Sequence, residues 1–451
     1  MKSSLSVPQG AALSIGAVLG TGVITLPSLG VQVAGPASLV AWIALVVLSV
    51  PLATTFAAMG ARHPDSRGVS AYVDRAFGAR AAGAIGWCFY FAVPVGAPPA
   101  SLMAGAYVAD AVGGGRTTAV VTAASLIVFV GVLNAAGLRL SGRVQLVLTA
   151  VLAALISVAV LVAAPHGSTA HLTPFAPHGI GAIGSAAALL VWGFAGWEAI
   201  APLAGEYRDP RRDLPRATTI AIAVVGVLYL ALAAATVLVL GPAAAHTSAP
   251  LSALLVAGVG GPARIVTAVL AVLLTVGAMN AYFAGGSRLG AALAADGALP
   301  ASLAKGAETG AVPRRSLAVI TGLALGSLVA NEVFHFDLAQ LMLLTTGCFT
   351  LVYVIGTAAA VRLLPRCSTA WWTALIAFVS VCGLLVMNGP HVVWAIGAAA
   401  ASLLYRRLRR QPPLLHASAA ATSERVRSST VRESSQPSGS TTCRSEPARP
   451  R

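Results

Sequence analysis

The chain has 451 residues, of which 57% are hydrophobic and only 10% are charged. Soluble globular domains carry about 25% charged residues, so this chain has too little charge to cover a soluble surface. Its five cysteines are scattered without CxxC spacing, which excludes a secreted disulfide scaffold and a zinc site built from cysteine pairs. High hydrophobicity also excludes intrinsic disorder, and the composition therefore predicts an all-α polytopic membrane protein.

Long apolar runs divide the chain into predicted transmembrane helices. A helix crosses the ~30 Å hydrocarbon layer with about 20 residues. The sequence accordingly predicts twelve spans, at residues 9–33, 37–60, 84–110, 117–136, 144–164, 182–203, 217–240, 263–290, 316–331, 338–361, 370–387 and 390–405. The first ten form two five-span blocks, about 9–164 and 182–361, and two extra helices occupy 370–405. An even number of spans places both termini on one side of the membrane.

Basic residues are distributed unequally between the two sides of the predicted spans. The formal net charge is +15, and 17 of the 29 lysines and arginines lie in loops on the side of the termini. The opposite side has only Arg116 and Arg264, and the other ten lie in the tail from Arg406 onward. Positive residues mark the cytoplasmic side. We therefore expect a bacterial cytoplasmic membrane protein with cytoplasmic termini and contact with anionic lipid, and no nucleic-acid partner.

The two ends of the chain differ in composition. Only seven residues, with one positive charge, precede the first apolar run, which is predicted to be a retained helix rather than a signal peptide. Residues 406–451 are rich in Ser, Thr, Ala, Arg and Pro, and they lack the apolar surface that would offset the entropy of ordering. We predict a transmembrane domain over residues 1–405 and a basic, disordered cytoplasmic tail over 406–451.

Two predicted spans contain glycines where a helix would otherwise be continuous. The first span contains Leu19-Gly20-Thr21-Gly22, and the sixth contains Trp192-Gly193-Phe194-Ala195-Gly196. Each glycine costs ~1 kcal/mol relative to alanine in a helix interior, and unwound backbone survives in hydrocarbon only where it lines a cavity or meets a ligand. Breaks at matching positions of two blocks indicate the substrate site of a transporter. The alternative is helix packing, because Gly16 and Gly20 form a GxxxG pair.

Glu198 is the only acidic residue well inside an apolar span. A charge at that depth costs ~2.5–3.5 kcal/mol on insertion scales, so we expect Glu198 to exchange a proton and couple it to transport. The alternative is a protonated glutamate that only bonds the loose backbone of the break. Trp192 and Phe194 flank the break and are candidate gates, or else ordinary packed aromatics. Asn280 and Tyr282 are candidate cavity-lining residues, or else they bond a neighbouring helix.

Motifs of other functional classes are absent from the sequence. It contains no Walker loop, dinucleotide fingerprint, HExxH or paired-carboxylate motif. We therefore predict no enzyme activity, no cofactor and no metal site. A channel would show rings of repeated polar residues and a sensor would carry a folded soluble domain, so a transporter is favoured over both alternatives.

Five motifs occur in order between residues 8 and 315. They are Gly20-Thr21-Gly22 with Pro27, the stretch 68–78, Phe194-Ala195-Gly196-Trp197-Glu198, the stretch 206–217, and Ser287-Arg288-Leu289-Gly290 with 296–300. They resemble the GSG-type first-helix motif, the loop after span two, the GFE-type sixth-helix motif, the loop that follows it and the end of span eight in the amino acid–polyamine–organocation (APC) superfamily. Within that superfamily, Leu19-Gly20-Thr21-Gly22-Val23, Pro94-Val95-Gly96-Ala97-Pro98 and Trp192 are most similar to the bacterial exporters of methionine and branched-chain amino acids.

This resemblance implies a LeuT-like fold of twelve spans, with a 5+5 inverted repeat and broken helices one and six. It implies that the substrate carboxylate binds the backbone at Gly20-Thr21-Gly22 and that the amino group meets carbonyls between Trp192 and Ala195. Trp192 is then a gate, and Glu198 takes part in proton-linked switching. Because no other acid lines the expected cavity, we expect efflux of a neutral, apolar amino acid. Import or exchange on the same fold is the alternative, and the substrate, stoichiometry and oligomeric state are left open.

Overall fold

The computed structural model describes residues 5–63, 68–137, 142–199, 204, 207, 209–306, 308 and 311–409. In these residues every regular segment is helical, and the one β-type pairing is an isolated bridge between Leu5 and Tyr207. The predicted all-α class is therefore confirmed. The tail from residue 410 onward, Pro202 and Glu206 lie outside the described residues.

Fifteen α-helices follow one another in the described part of the chain. They are α1 (Val7–Val18), α2 (Leu26–Ala34), α3 (Ser38–Arg62), α4 (Val69–Phe77), α5 (Ala79–Val112), α6 (Arg116–Ala135), α7 (Gly142–Ala163), α8 (Gly181–Leu190), α9 (Pro210–Ala235), α10 (Pro250–Val259), α11 (Ala263–Ala295), α12 (Arg314–Phe334), α13 (Leu338–Leu363), α14 (Thr369–Met387) and α15 (Val392–Arg409). Short 3₁₀ turns join several of them.

Nine helical stretches among the described residues are long and apolar enough to cross a membrane. They include predicted spans two to five and seven to eleven. Predicted spans one and six are divided into shorter helices, and α15 matches the last predicted span. The chain is therefore a multi-pass membrane protein, whereas the count of twelve spans and the inverted repeat remain predictions.

Local sequence explains where several helices begin. Helix α9 begins at Pro210, and the side chain of the preceding Asp209 accepts a hydrogen bond from the Arg211 amide at 3.2 Å. Helix α13 begins with a capping box formed by Asp337 and Gln340. Proline has no amide proton that the first turn would leave without a partner, and a capping side chain satisfies an amide that has no intrahelical acceptor. These local signals fix the residues at which the two helices begin.

Three of the differences between the structure and the predicted elements have a local cause. The stretch 68–78, predicted as a loop, contains α4, because its buried apolar residues recur at helical spacing. The predicted loop after span seven contains α10, whose 10 residues are too few to cross a membrane. The last helix continues past the predicted boundary at 405 to Arg409, because arginine and leucine are good helix formers.

Small residues allow the helices to approach closely. Helix α5 packs along α6 and α11, and a Cβ added to Gly105 of α5 would overlap the Ala119 carbonyl oxygen of α6. Such contacts between glycine and backbone are typical of helix packing in membranes. Helix α1 packs against α7 and α9, and α8 packs against α2 and α3. The divided first and sixth spans therefore pack against each other and against continuous helices.

Candidate functional site

The first predicted span is divided at Leu19 and Gly20. Helix α1 ends at Val18, and the Leu19 amide donates to the Ile15 carbonyl at 2.7 Å. Gly20 is extended, with φ −80° and ψ −161°, and a 3₁₀ turn over Thr21–Ile24 leads to α2. Apart from its chain neighbours, the nearest atom to a Cβ added at Gly20 would be the Val18 carbonyl oxygen at 4.0 Å. Open space therefore lies beside this break.

The sixth predicted span is divided in the same manner. Helix α8 ends at Leu190, a 3₁₀ turn covers Val191–Phe194, and Ala195 is extended. Gly196 has φ +127°, a conformation that residues with a side chain rarely adopt. A Cβ at Gly196 would also lie 2.5 Å from the carbonyl oxygen of Ala17 in α1. Glycine is thus required here both for the turn and for the close approach of the two divided spans.

A tyrosine of α9 joins the two breaks. The Tyr229 hydroxyl lies 2.9 Å from the Val18 carbonyl oxygen and 2.6 Å from the Gly193 carbonyl oxygen. Its single proton donates to one of these carbonyls at a time. Carbonyls at a helix break need a partner in an apolar surrounding, so Tyr229 stabilises both breaks. The Gly193 carbonyl is also one of those that the family resemblance assigns to the substrate amino group.

Glu198 lies at the sixth break and is 8% exposed. Its Oε2 accepts a hydrogen bond from the Gly196 amide at 2.9 Å and a short one from the hydroxyl of Tyr353 in α13. Both donors point at the same oxygen, so Oε1 is left to carry a proton when the acid is neutral. No ion pair between Glu198 and a lysine or arginine is formed within the described residues. The arrangement can therefore hold this side chain either as a carboxylate or as an acid.

The two candidate gates have different surroundings. A Cβ at Gly22 would lie 2.5 Å from Cδ1 of Trp192, and a Cβ at Gly96 of α5 would lie 3.4 Å from its Cη2. The indole of Trp192 therefore lies between the first break and α5. Phe194 is buried, and its ring packs edge-on against Tyr229 at a centroid distance of 5.1 Å. Trp192 is thus beside both breaks, whereas Phe194 belongs to the packed core.

The sequence profile of the amino acid permease family matches residues 5–403. The match includes both breaks, Glu198 and the tyrosines that contact them. The chain belongs to the amino acid permease family. The predicted membership of the APC superfamily is confirmed.

Relatives of this permease cover most of its length. The uncharacterized amino acid permease YecA of Bacillus subtilis (strain 168) is 32% identical over 409 residues, which are 91% of this chain and 96% of the relative. The L-methionine/branched-chain amino acid exporter YjeH of Escherichia coli (strain K12) is 31% identical over 372 residues, which are 81% and 87% of the two chains. The branched-chain amino acid permease BcaP of Bacillus subtilis (strain 168) is 27% identical over 313 residues. Permeases and exporters are transport proteins, which implies a transport role rather than an enzyme activity.

The predicted substrate-binding residues of the permease lie at the two breaks. Leu19, Gly20 and Gly22 are at the first, and the run from Trp192 to Gly196 is at the sixth. The side chain of Thr21 lies outside the described part of the structure. The contact of Gly196 with α1 brings the two groups of residues together. Their role in binding remains a prediction.

The two candidate cavity-lining residues contact neighbouring helices. The Asn280 side-chain oxygen accepts a hydrogen bond from the Asn134 amide of α6 at 2.9 Å, which is the alternative that the sequence left open. Tyr282 is partly buried, and its ring packs edge-on against Phe349 of α13 with centroids 6.2 Å apart. Asn280 therefore stabilises the contact between α6 and α11.

Sequence analysis did not identify Tyr229 and Tyr353, although both bond the breaks. Each is a tyrosine in the middle of a long apolar helix, and a phenol hydroxyl at that depth is the signal that could have identified them. A hydroxyl in hydrocarbon is expected to find a partner. The sequence does not tell which of the other helices provides the partner, because the neighbours of α9 and α13 are set by tertiary packing.

Proposed function

We propose that this permease is a secondary active transporter that exports neutral, apolar amino acids by alternating access. The observation that carries the proposal is the meeting of the two breaks, where Gly196 contacts α1 and Tyr229 reaches carbonyls of both divided spans. Unwound backbone offers amides to a carboxylate and carbonyls to an ammonium group. Opposed groups of this kind are suited to a zwitterion.

The proposed substrate seat uses the backbone rather than charged side chains. The carboxylate binds the amides around Gly20 and Gly22, where the space beside Gly20 is open. The amino group meets carbonyls between Trp192 and Ala195, and at Gly193 it shares the carbonyl with Tyr229. Within the described residues Glu198 is the only buried carboxylate, so no second one is available for the basic side chain of an arginine or lysine substrate. The printed name of the relative YjeH, a methionine and branched-chain amino acid exporter, agrees with an apolar substrate.

Glu198 is the proposed proton carrier of the transport cycle. Protonation removes its charge while the hydrogen bonds from Gly196 and Tyr353 to Oε2 are kept. Deprotonation leaves a carboxylate at membrane depth, which needs water or a donor that approaches. The two protonation states therefore favour different surroundings of the sixth break, and this difference couples the proton to alternating access. Under this proposal the termini face the cytoplasm of a bacterial cell and net flux is outward.

Counterflow in proteoliposomes tests the proposed substrate class. Vesicles that contain the purified permease are loaded with an unlabelled amino acid, and uptake of the labelled compound is followed for a panel of neutral, acidic and basic amino acids. We expect exchange with methionine, leucine, isoleucine or valine and little with lysine or arginine. Exchange confined to charged amino acids would contradict the proposed seat, and no exchange with any amino acid would contradict transport itself.

The Glu198→Gln variant tests proton coupling in the same vesicles. Glutamine keeps the size and the acceptor oxygen of the side chain but exchanges no proton. We expect counterflow to persist while transport driven by an imposed pH gradient falls at least about tenfold, which corresponds to ~1.4 kcal/mol, because glutamine carries no proton through the cycle. Glu308→Gln, which neutralises an exposed acid, is the matched control. Unchanged pH-driven transport in Glu198→Gln would remove the proton from the mechanism.

A further inference from the structure

The chain between α9 and α11 contains a segment that does not span the membrane. A 3₁₀ turn over Gly241–His246 leads to α10, which lies on the side of the protein away from the termini in the predicted topology. Helix α10 packs against α7 and α11. Three side chains of other helices hold this segment, and together they connect it to the first break.

Tyr107 of α5 connects α10 directly to the first break. Its hydroxyl donates to the Ile24 carbonyl at 2.5 Å and accepts from the Leu251 amide at 3.1 Å. Ile24 ends the 3₁₀ turn that contains Gly22, and Leu251 is in the first turn of α10. Tyr107 is 1% exposed. A neutral phenol has one proton and free lone pairs, so both hydrogen bonds form at the same time.

Asp110 supplies a second bond between α5 and α10. The Ser252 hydroxyl donates to Asp110 Oδ2 at 2.7 Å, and Arg264 Nε of α11 lies 3.9 Å from the same oxygen. Residues three apart lie on one face of a helix, so Tyr107 and Asp110 face α10 together. They bind two successive residues of its first turn. A rotation or lift of α10 therefore breaks both bonds.

Ser28 ties helix α2 to the same segment. Its hydroxyl lies 2.6 Å from the Ala244 carbonyl oxygen and 2.5 Å from the Thr247 carbonyl oxygen. Helix α2 is the half-helix that follows the first break. The segment before α10 and the half-helix are thus held to each other, and both are held to α5 through Tyr107. We name the set of Ser28, Tyr107, Asp110 and Ser252, with the Leu251 amide, the clasp.

We infer that Tyr107 is a positioning residue that keeps the clasp closed on the side of the protein away from the termini. Both of its hydrogen bonds must then break before an amino acid passes. The inference rests on the proposed transport function. Because the Ile24 carbonyl belongs to the turn beside the proposed substrate seat, the conformation of the first break decides whether Tyr107 finds its acceptor. Closure of this side and the geometry of the seat are therefore linked through one hydroxyl.

Labelling of a buried reporter tests the clasp without any substrate. Leu251→Cys provides the reporter, because the Leu251 side chain is 1% exposed while the clasp uses only its backbone amide. A membrane-impermeant maleimide is applied to intact cells and to inverted vesicles. These samples expose opposite faces of the membrane, so the reagent has access to α10 in one of the two. Peptide mass spectrometry then gives the modification rate at residue 251. We expect Tyr107→Phe to raise this rate about fivefold or more, since two hydrogen bonds are lost.

Tyr90→Phe is the matched control for the labelling experiment. Tyr90 is also in α5, and its hydroxyl lies 3.5 Å from the Ser316 carbonyl, away from the clasp. We expect Tyr90→Phe to leave the labelling rate unchanged. Equal rates in Tyr107→Phe and Tyr90→Phe would overturn the inference. If Tyr107→Phe does not fold, Asp110→Asn replaces it, with an expected rise of about twofold and with Glu332→Gln as its control.

Transport kinetics separate a positioning role from general stability. For an amino acid supplied from the α10 side, we expect Tyr107→Phe to lower the apparent KM, because the open state is favoured, and to lower the maximal exchange rate severalfold, because closure is hindered. A residue that acts only on stability would lower the amount of active protein with KM unchanged, and that result would also overturn the inference. If the wild-type protein exchanges no amino acid, the proposed function is contradicted. The labelling rates would still test whether Tyr107 keeps the clasp closed.

Discussion

Gly196 is constrained both by its backbone and by its neighbour. Its φ of +127° is strained for any residue with a Cβ, and that Cβ would lie 2.5 Å from the Ala17 carbonyl oxygen. We expect Gly196→Ala to destabilise the permease by about 1–3 kcal/mol and to abolish most amino acid exchange, because the divided spans are forced apart. Thermal unfolding of the purified protein in detergent and counterflow in vesicles measure the two effects.

Gly184→Ala is the control for that experiment, because Gly184 lies in α8 of the same predicted span. The nearest atom to a Cβ there would be Met387 Sδ at 3.4 Å, which is an ordinary contact distance. Alanine is favoured over glycine within a helix by about 1 kcal/mol. We expect Gly184→Ala to keep exchange activity and not to lower the unfolding temperature. If Gly196→Ala behaves in the same way, the close approach of the two breaks is not required.

Glu198 could be predicted from the sequence as a functional residue, but its hydrogen-bond donors could not. Its depth in an apolar run indicates a site, since a charge there needs a donor or a proton. The sequence does not identify its donors, because the Gly196 amide becomes available only in the turn that the break forms. Tyr353 is 155 residues away along the chain. The cost of burying its charge identifies Glu198 in the sequence, whereas its hydrogen-bond partners are set by the fold.

At the level of elements, α9 supports both divided spans through a single hydroxyl. Tyr229→Phe removes its bonds to the Val18 and Gly193 carbonyls and keeps the aromatic ring. We expect a loss of about 1–3 kcal/mol in stability, since a buried carbonyl is left without its donor. We also expect a raised apparent KM for the amino acid, because the Gly193 carbonyl is displaced from the proposed seat. Exchange kinetics in proteoliposomes measure the change.

Thr219→Val is a matched control for the tyrosine variant. Thr219 lies in α9, and its hydroxyl donates to the Pro215 carbonyl on an exposed face of the same helix. The substitution also removes one hydroxyl, but no bond to a break is lost. We expect KM and unfolding temperature to stay close to those of the wild type. A similar change in both variants would show that the effect of Tyr229→Phe is unrelated to the breaks.

Elements with a strong local signal could be predicted, and elements defined by contacts could not. Gly20 and Gly196 lie where the helices divide, because glycine lowers helix propensity at the position itself. Helix α10 was not predicted, because its 10 mostly apolar residues, which begin with Pro250, fit a loop as well as a short helix. Its role in the clasp depends on Tyr107, which reaches it across 144 residues of sequence. No periodicity in either segment indicates this contact.

For the whole molecule, the distribution of charge gives a prediction of orientation. Arg116 pairs with Glu332 at 2.9 Å, and Arg264 lies 3.9 Å from Asp110. These are the two basic residues that the predicted topology places on the side away from the termini. In the described structure each of them has an acid beside it. On the side of the termini, the basic residues outnumber the acidic residues in the sequence. This asymmetry favours cytoplasmic termini.

Native Cys367 provides a test of this orientation. It is exposed in the connection between α13 and α14, which the predicted topology places on the cytoplasmic side. We expect a membrane-impermeant maleimide to modify Cys367 in inverted vesicles but not in intact cells. Gly261→Cys, at a position with open space on the opposite side, should show the reverse. Modification of Cys367 in intact cells would contradict the proposed topology.

The bridge between Leu5 and Tyr207 has a practical consequence for handling the permease. The Tyr207 ring occupies the position that a Cβ on Gly10 would take, so the beginning of α1 is held by the chain that follows the sixth span. We expect a bulky protein domain fused directly before residue 5 to disturb this contact. Affinity handles and fluorescent fusions therefore belong at the carboxyl end.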